Sequence, residues 1–490
     1  MNIARPLRAI GRRALTCLAV AGLCLGVPVD AAFAASKKPE NTIRNILVIQ
    51  LENESYGTTF GPTSPAHYLN TTLLGQGELI PNWFATGHVS LDNYIAQISG
   101  QGSAPSTNSD CINAAGLAGG DFVGQYFDVT PGSDDMSGLN PGQVDGDGCI
   151  YPLPRAATRT TAASHGARTI GDQLDERDHQ VRFTSSGVVY RPGRIFWRQY
   201  SEDMGNTATG REVGDADPMG GLDCGHPPLN GADNTNAATA QDQYATRHNG
   251  FMYFHSVIDN QARCDAHVVP LGTVSVGTGP GGSDQFSGHF YADLRNDRTT
   301  PNFMFVTPNL CNDGHDATCK GPNTEGGSVG GLAGADLWFK HWMPMIFNSP
   351  AYQSGHMLVV LTFDEGSALD TAACNTTLSA DTGICNYPTG PNLTNFGYSP
   401  ILGILHLQTP PTKTGIYPGG GQVGAVLFNA KLIKPGSVNT TGQYNHFSAL
   451  RSYEDLLHIK TGGDDGQGHL GFAAQPGLAG AIFGADVFNK

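Results

Sequence analysis

The chain has 490 residues, a formal net charge of −15 at pH 7, 9% aromatic residues and 65 glycines. So acidic a chain argues against nucleic-acid binding, whose affinity leans on positive charge, and its length allows two domains or one large α/β domain with insertions. Glycine runs at 277–282, 326–334 and 419–421 predict long loops.

From the N-terminus, Arg5, Arg8, Arg12 and Arg13 precede an apolar run from Ala14 to Val27, followed by Ala32-Phe33-Ala34. This is the layout of a signal peptide over 1–34, and the run is too short to span a bilayer. Arg12-Arg13 is a loose twin-arginine pair, with Gly11 in place of the usual serine or threonine. The expectation is an exported chain, periplasmic or extracellular, with no integral membrane segment after cleavage. Eight cysteines then remain, an even number that reads as disulfides in an exported protein. Short separations favour Cys311 with Cys319 and Cys374 with Cys385, and no pair has the CxxC spacing of a zinc site.

Residues 46–51, 303–307 and 357–363 are continuous apolar runs rich in β-branched or aromatic residues, and 401–407 is a fourth. Such runs predict strands of a parallel sheet covered on both faces. Helical periodicity at 88–98, 169–177, 335–347 and 447–459 alternates with them, as βαβ units require. The fold class expected is therefore α/β, with a mostly parallel central sheet. The polar, Gly- and Asp-rich stretches near 112–167 and 205–241 read as loop-rich insertions in a single catalytic domain covering 35–490.

In an open α/β sheet, ligands bind beyond the carboxyl ends of the strands. Three of these runs lead directly into candidate metal ligands: Leu51-Glu52-Asn53, then Asn309 through Asp313, His315 and Asp316, then Phe363-Asp364-Glu365. Adjacent carboxylates after an apolar strand are costly unless a cation or a proton neutralises them. A helix cap could explain any one of these ends. Three together point to a bound ion.

The segments Leu51 to Tyr56, His88 to Tyr94, Trp197 to Met204, Arg247-His248-Asn249, Thr307 to Asp316, Thr362 to Gly366 and Tyr444 to Ser448 occur in the order seen in a known family. Over most of residues 43–475 the chain resembles the phosphoesterases that include secreted bacterial acid phosphatases and phospholipases C, within the alkaline-phosphatase-like superfamily. The resemblance implies the three-layer fold of that superfamily. It also implies metal ligation by Glu52, Asn53, Asp364 and Glu365. Asp313, His315 and His446 would form the other half of the site, as ligands of a second ion or as phosphate-binding and acid–base groups. His88, His248 and Asn309 are expected to face the phosphate or to support the ligands. Mixed carboxylate and imidazole ligation names no particular divalent metal, and leaves one or two ions open.

Ser90 is the expected nucleophile, 37 residues after Asn53 at the start of a helix whose N–H groups favour an anion. Asn93 is expected to donate to a phosphate oxygen. The superfamily's Pro-Asn pair is Asp92-Asn93 here, which leaves the local backbone in question and Ser99, Ser103, Ser106 and Thr107 as competitors. The GxGxxG match at 277–282 contains Pro280 and opens no clear helix, and Ser103-Ala104-Pro105 lacks the arginine of a sulfatase motif. The function expected is a metal-dependent acid phosphatase acting on small phosphomonoesters through a phosphoserine. Phospholipase C action on phospholipid and a non-catalytic calcium-binding protein are the alternatives.

Overall fold

Every residue of Asn45–Leu51 and of Met357–Phe363 is buried, and the two segments pair in parallel along their whole length. Aliphatic side chains pointing to both faces of a strand are stable only if both faces are covered, and each such side chain contributes about 1.5–3 kcal/mol. The computed structural model describes residues 42–87, 89–104, 106–107, 110–111, 124–131, 142–144, 146–154, 166–206, 211–233, 238–366, 386–388, 416–418, 420–475 and 480–490.

In chain order the elements that position the site are β1 (Asn45–Leu51), β2 (Glu78–Ile80), α1 (Ser90–Ser99), α2 (Ile170–Arg177), β3 (Trp197–Ser201), β4 (Val268–Pro270), β5 (Phe303–Thr307), α3 (Gly331–Phe347), β6 (Met357–Phe363), β7 (Ala425–Phe428), β8 (Ser437–Val438) and α4 (His446–Leu456). The central sheet has the order β4-β3-β5-β1-β6-β7-β2-β8. Its first five strands run parallel; β7 is antiparallel to both β6 and β2, and β8 is parallel to β2. The mostly parallel sheet expected from the sequence is present, and the three best apolar runs are its adjacent strands β5, β1 and β6. The run at 401–407, the signal segment 1–34 and the pair Cys374–Cys385 lie outside the described residues.

Alternation along β3 and β5 sorts the helices into layers. Trp197 and Phe303 are paired in register, so they and Phe305 share a face. There Asp175 of α2 accepts from Trp197 Nε1 at 2.9 Å, Tyr94 of α1 lies 6.0 Å from Phe305, and Tyr453 of α4 lies 5.8 Å from Phe303. Tyr200 and Phe428 belong to the opposite face, where Phe290 of the helix His289–Leu294 meets the first and Phe347 of α3 the second. Helices therefore cover both faces of the sheet.

Helix ends differ from expectation for local reasons. α1 starts at Ser90 because Val89 has φ 73°, ψ 158°, outside helical space. α4 starts at His446 behind a capping box of Asn445 and Ser448, and ends at Leu456, just before His458 turns left-handed at φ 56°. Cys311–Cys319 forms as expected, together with Cys111–Cys149 and Cys224–Cys264. Among the described residues no helix is long and apolar enough to cross a membrane.

A buried ion network ties α2 to the helix Gln261–His267. Arg263 donates from Nη1 to Asp172 at 2.8 Å and to the Ser256 carbonyl at 2.7 Å, and from Nη2 to Asp175 at 2.7 Å. Asp172 also closes the capping box of α2. Removing the guanidinium strands two buried carboxylates, so Arg263→Ala should lower unfolding free energy by about 3–5 kcal/mol in urea titrations. A loss below about 1 kcal/mol would contradict this account.

Candidate active site

The register of the sheet assembles the site. Leu51 pairs with Phe363, so Glu52 and Asp364 leave adjacent strand ends side by side. The backbone then ties the three loops together: Glu52 N–H donates to the Asp313 carbonyl and Asp364 N–H to that of Leu51, both at 2.8 Å. Asn53 takes a left-handed conformation, φ 57°, that asparagine tolerates better than most residues. This lets its N–H reach Asp364 Oδ1 at 2.9 Å, and the Glu365 N–H meets the same oxygen at 2.6 Å. β3 ends opposite Thr307, which brings Glu202 to the loop after β5. Its Oε2 accepts from Asn309 N and Asn312 Nδ2, each at 3.0 Å.

Ser90 opens α1 beneath these loops, and its Oγ donates to Glu52 Oε2 at 2.7 Å. One helical turn on, Tyr94 donates its hydroxyl to the other Glu52 oxygen. The preceding loop is held tightly. Val89, strained at positive φ for a β-branched residue, donates its N–H to Glu365 Oε2 at 3.0 Å. A Cβ at Gly87 would stand 2.1 Å from Asp92 Oδ2, so any larger residue there would have to displace that carboxylate. His248 bridges the two halves of the site. Its Nε2 lies 3.4 Å from Glu52 Oε2 and its Nδ1 3.5 Å from Asp313 Oδ2, and its ring stacks on Tyr94 at 5.5 Å. His315 donates its backbone N–H to Asp313 Oδ1 at 2.9 Å, with Nδ1 2.8 Å from Asp316 Oδ1.

Four buried carboxyl groups crowd this space. Burial first, then the neighbouring Asp364 and Asp313, drives Glu52 well above the usual carboxylate range. Burial raises Asp313 and Asp364 to about 7 and Glu365 to about 8, with Glu365 also acting on Asp364. Burial lowers the imidazole of His248, helped by the charges of Arg247 and His315, and keeps it neutral. Asn53 Oδ1, His248 Nε2, Asp313 Oδ2 and Asp364 Oδ2 are buried with no hydrogen-bond partner among the described residues. Three oxygens and one imidazole nitrogen match the donor set of a divalent cation, so the residues fit the metal that the family resemblance implies.

Several expected roles change. Both amide hydrogens of Asn93 are engaged, to Gly87 and Val89 carbonyls at 2.9 and 3.0 Å, and its Oδ1 accepts from Thr86 and Gly87 N–H groups. It shapes the loop before Ser90 and has no hydrogen left for a phosphate. His446 accepts at Nδ1 from Trp83 Nε1 at 3.5 Å, which leaves its Nε2 proton for the Asp364 carbonyl at 2.7 Å. Burial lowers it to about 4, so it is a neutral prop for Asp364, not an acid. Asn309 spends its side chain on Asp203 and the Cys311 N–H. The helix-start amides expected to receive an anion are partly filled: Leu91 N–H goes to Asp110 at 2.9 Å, as Val89 N–H goes to Glu365. Among the competitors, Ser99 donates to the Ile95 carbonyl, Ser103 to Asp92 and Thr107 to the Ala104 carbonyl. His88 lies outside the described residues. Tyr94, Glu202 and Trp83 were not singled out from the sequence. The spacing of Ser90 and Tyr94, four residues apart on one helical face, was the available signal for the first.

No family model matches the chain. Among curated proteins it is 25% identical over 264 residues to the "Phosphate-repressible acid phosphatase" of Penicillium chrysogenum, a match covering 53% of this chain and 51% of that protein. The chain thus spans about half the length of the curated relative it matches. Among solved structures it is similar to a protein in the alkaline phosphatase superfamily from Vibrio parahaemolyticus, at 10% identity and TM-score 0.37 over 85% of this chain and 67% of that one. It is also similar to the PsFucS1 sulfatase from Pseudoalteromonas sp., at 11% identity and TM-score 0.36 over 91% and 76%. The alkaline phosphatase PafA, as a mutant, aligns at 9% identity and TM-score 0.33 over 91% and 99%. The resemblance to phosphoesterases carried by the strand-end motifs thus has an acid phosphatase among its sequence matches.

Proposed function

We propose that the chain is an exported, divalent-metal-dependent phosphoric-ester hydrolase of the alkaline-phosphatase-like type, acting on phosphomonoesters through a phosphoserine at Ser90. The observation that carries this reading is the Ser90 hydroxyl, 2.7 Å from a carboxylate oxygen inside a nest of buried acids with unpartnered acceptor atoms. Glu52, Asn53, Asp364, Asp313 and His248 would hold the cation, with Glu365 bound to the Val89 amide beside them. The chemistry a divalent cation supplies in such a site is a lowered pKa for a bound hydroxyl and charge neutralisation at phosphoryl oxygens.

Ser90 Oγ gives its proton toward Glu52 as it attacks phosphorus in line, and the bond to the leaving oxygen breaks. Tyr94 keeps Glu52 aimed at that hydroxyl. The leaving alkoxide takes a proton from His315. Burial alone would lower His315, but the Asp316 carboxylate on Nδ1 and nearby Asp313 raise it above the ordinary value, which favours its proton-donating form. In the second half, neutral His315 accepts a proton from water attacking the phosphoserine, and as the P–Oγ bond breaks Glu52 returns its proton to Ser90 Oγ, releasing phosphate and restoring the starting site.

Ser90→Ala and Asp364→Asn should each cut hydrolysis of p-nitrophenyl phosphate by about a thousandfold or more, with circular dichroism unchanged. Near wild-type turnover in either would remove the assignment. Acid quench during turnover should trap a phosphoryl group on the peptide carrying Ser90. If a phosphatidylcholine emulsion is cleaved faster than the monoester, the substrate class is a phospholipid diester instead.

A second expectation concerns pH. Asp313 and Asp364 hold protons up to about 7 in the metal-free fold, against about 3.9 in an unfolded chain. Raised folded values mean their contribution is complete below pH about 4 and is lost as pH rises through about 7. Chelator-treated protein should therefore melt at progressively lower temperature from pH 5 to 8, and a divalent cation should reverse the loss. Asp364→Asn should flatten the profile. A chelated melting temperature that climbs over this range, unaffected by Asp364→Asn, would contradict the cluster's electrostatics.

A further inference from the structure

Away from the strand-end site, the strands Val213–Ala216 and Leu222–His226 pair as an antiparallel hairpin against the outer part of the sheet. A Cβ at Gly221 would meet Pro270 of β4 at 3.0 Å, which places the hairpin beside that edge strand. Cys224 fastens it to Cys264 of the helix Gln261–His267. At its turn, Asp217 and Asp223 meet His289, the first residue of the helix His289–Leu294.

We propose that Asp217, Asp223 and His289 form a second cation site, separate from the strand-end cluster, which takes a divalent ion of the zinc and manganese class. One ligand atom from each residue lies within 4.8 Å of the other two. His289 Nε2 is 2.5 Å from Asp217 Oδ2, and Asp217 Oδ1 also accepts the Met219 N–H. An ordinary ion pair would account for these two residues. It does not account for Asp223, which is only 8% exposed and whose Oδ1 is buried with no hydrogen-bond partner among the described residues.

The His289 ring nitrogen is already spent on Asp217. Asp217 hydrogen-bonds Asp223 through their side chains, so a shared proton relieves part of the repulsion, but Asp223 Oδ1 has no partner among the described residues and the remaining charged groups do not reach it. Asp265 adds to the negative potential, and Arg198 has its Nη1 on Asp293 at 2.6 Å and its Nε on the Ala266 carbonyl at 3.0 Å. A buried carboxylate with an unpartnered oxygen is costly, and a metal ion removes that cost. Ligand atoms bound to one ion at about 2.1 Å stand at most ~4.2 Å apart, so the three donors need only a sub-ångström contraction on one side and an opening of about 1 Å between His289 and Asp217. Two carboxylates with an imidazole favour zinc or manganese over calcium, which takes oxygen ligands, and leave a position for water. The ion clamps the hairpin to the helix His289–Leu294, a role that needs no turnover.

The test starts from Glu52→Gln/Asp364→Asn protein, in which the strand-end site is disabled, stripped with chelator, equilibrated with Zn2+ and desalted. Adding Asp223→Asn or His289→Gln should lower the zinc content by one ion per chain, measured by mass spectrometry of the metal. Amide exchange across 213–226 in the Glu52→Gln/Asp364→Asn chain should slow when Zn2+ is added, a readout that needs no substitution in the hairpin. Equal zinc content with and without the Asp223 and His289 changes, or exchange across 213–226 indifferent to Zn2+, overturns the proposal.

Discussion

Glu52, Asp313, Asp364 and Glu365 are buried together at the ends of three adjacent parallel strands, and their mutual repulsion is the constraint on which the rest of the site depends. Carboxylates so close in a dry space cannot all ionise without a compensating charge. The fold answers partly with protons, partly with donors: Ser90 and Tyr94 on Glu52, the Asn53 and Glu365 amides on Asp364, and the Val89 amide on Glu365. The acceptor atoms left over are the ones a cation would take. The acids that make the metal-free site costly are thus the same groups that would give a metal its affinity.

Outside that cluster, several polar side chains hold main chain in place. Asn93 organises the loop before Ser90, His446 and Trp83 buttress the Asp364 carbonyl, and Glu202 with Asp203 pins the turn after β5. The strained Val89 is over-determined by these contacts, which is how an unfavourable backbone angle persists. Pre-organisation of this kind matters because catalytic groups a fraction of an ångström out of place lose much of their effect.

The hairpin at 213–226 repeats the same physics on a smaller scale. Its carboxylates are brought together by an antiparallel turn and a disulfide, where the strand-end acids are brought together by parallel register. Both places pair acids with an imidazole, and both contain a buried oxygen without a hydrogen-bond partner among the described residues.

The sequence by itself determined three adjacent strands of the eight-stranded sheet and the acids that follow them. Continuous apolar runs over 46–51, 303–307 and 357–363 could be stable only as strands covered on both faces, and acids directly beyond them could lie only at the sheet's carboxyl edge. It also carried the Cys311–Cys319 pair, because a short loop limits the choice of partner. Only the tertiary structure decided which groups face one another. Asn93 and His446 sit in the expected segments, yet which way an amide or imidazole is used depends on main-chain carbonyls distant in sequence, 82 residues away for His446 and Asp364. The placement of His248 between Glu52 and Asp313, and the meeting of Asp217, Asp223 and His289, likewise come from strand order and from a hairpin folded onto a distant helix. Local periodicity carries no information about such contacts, since it reports which face of an element is buried and not what that face meets.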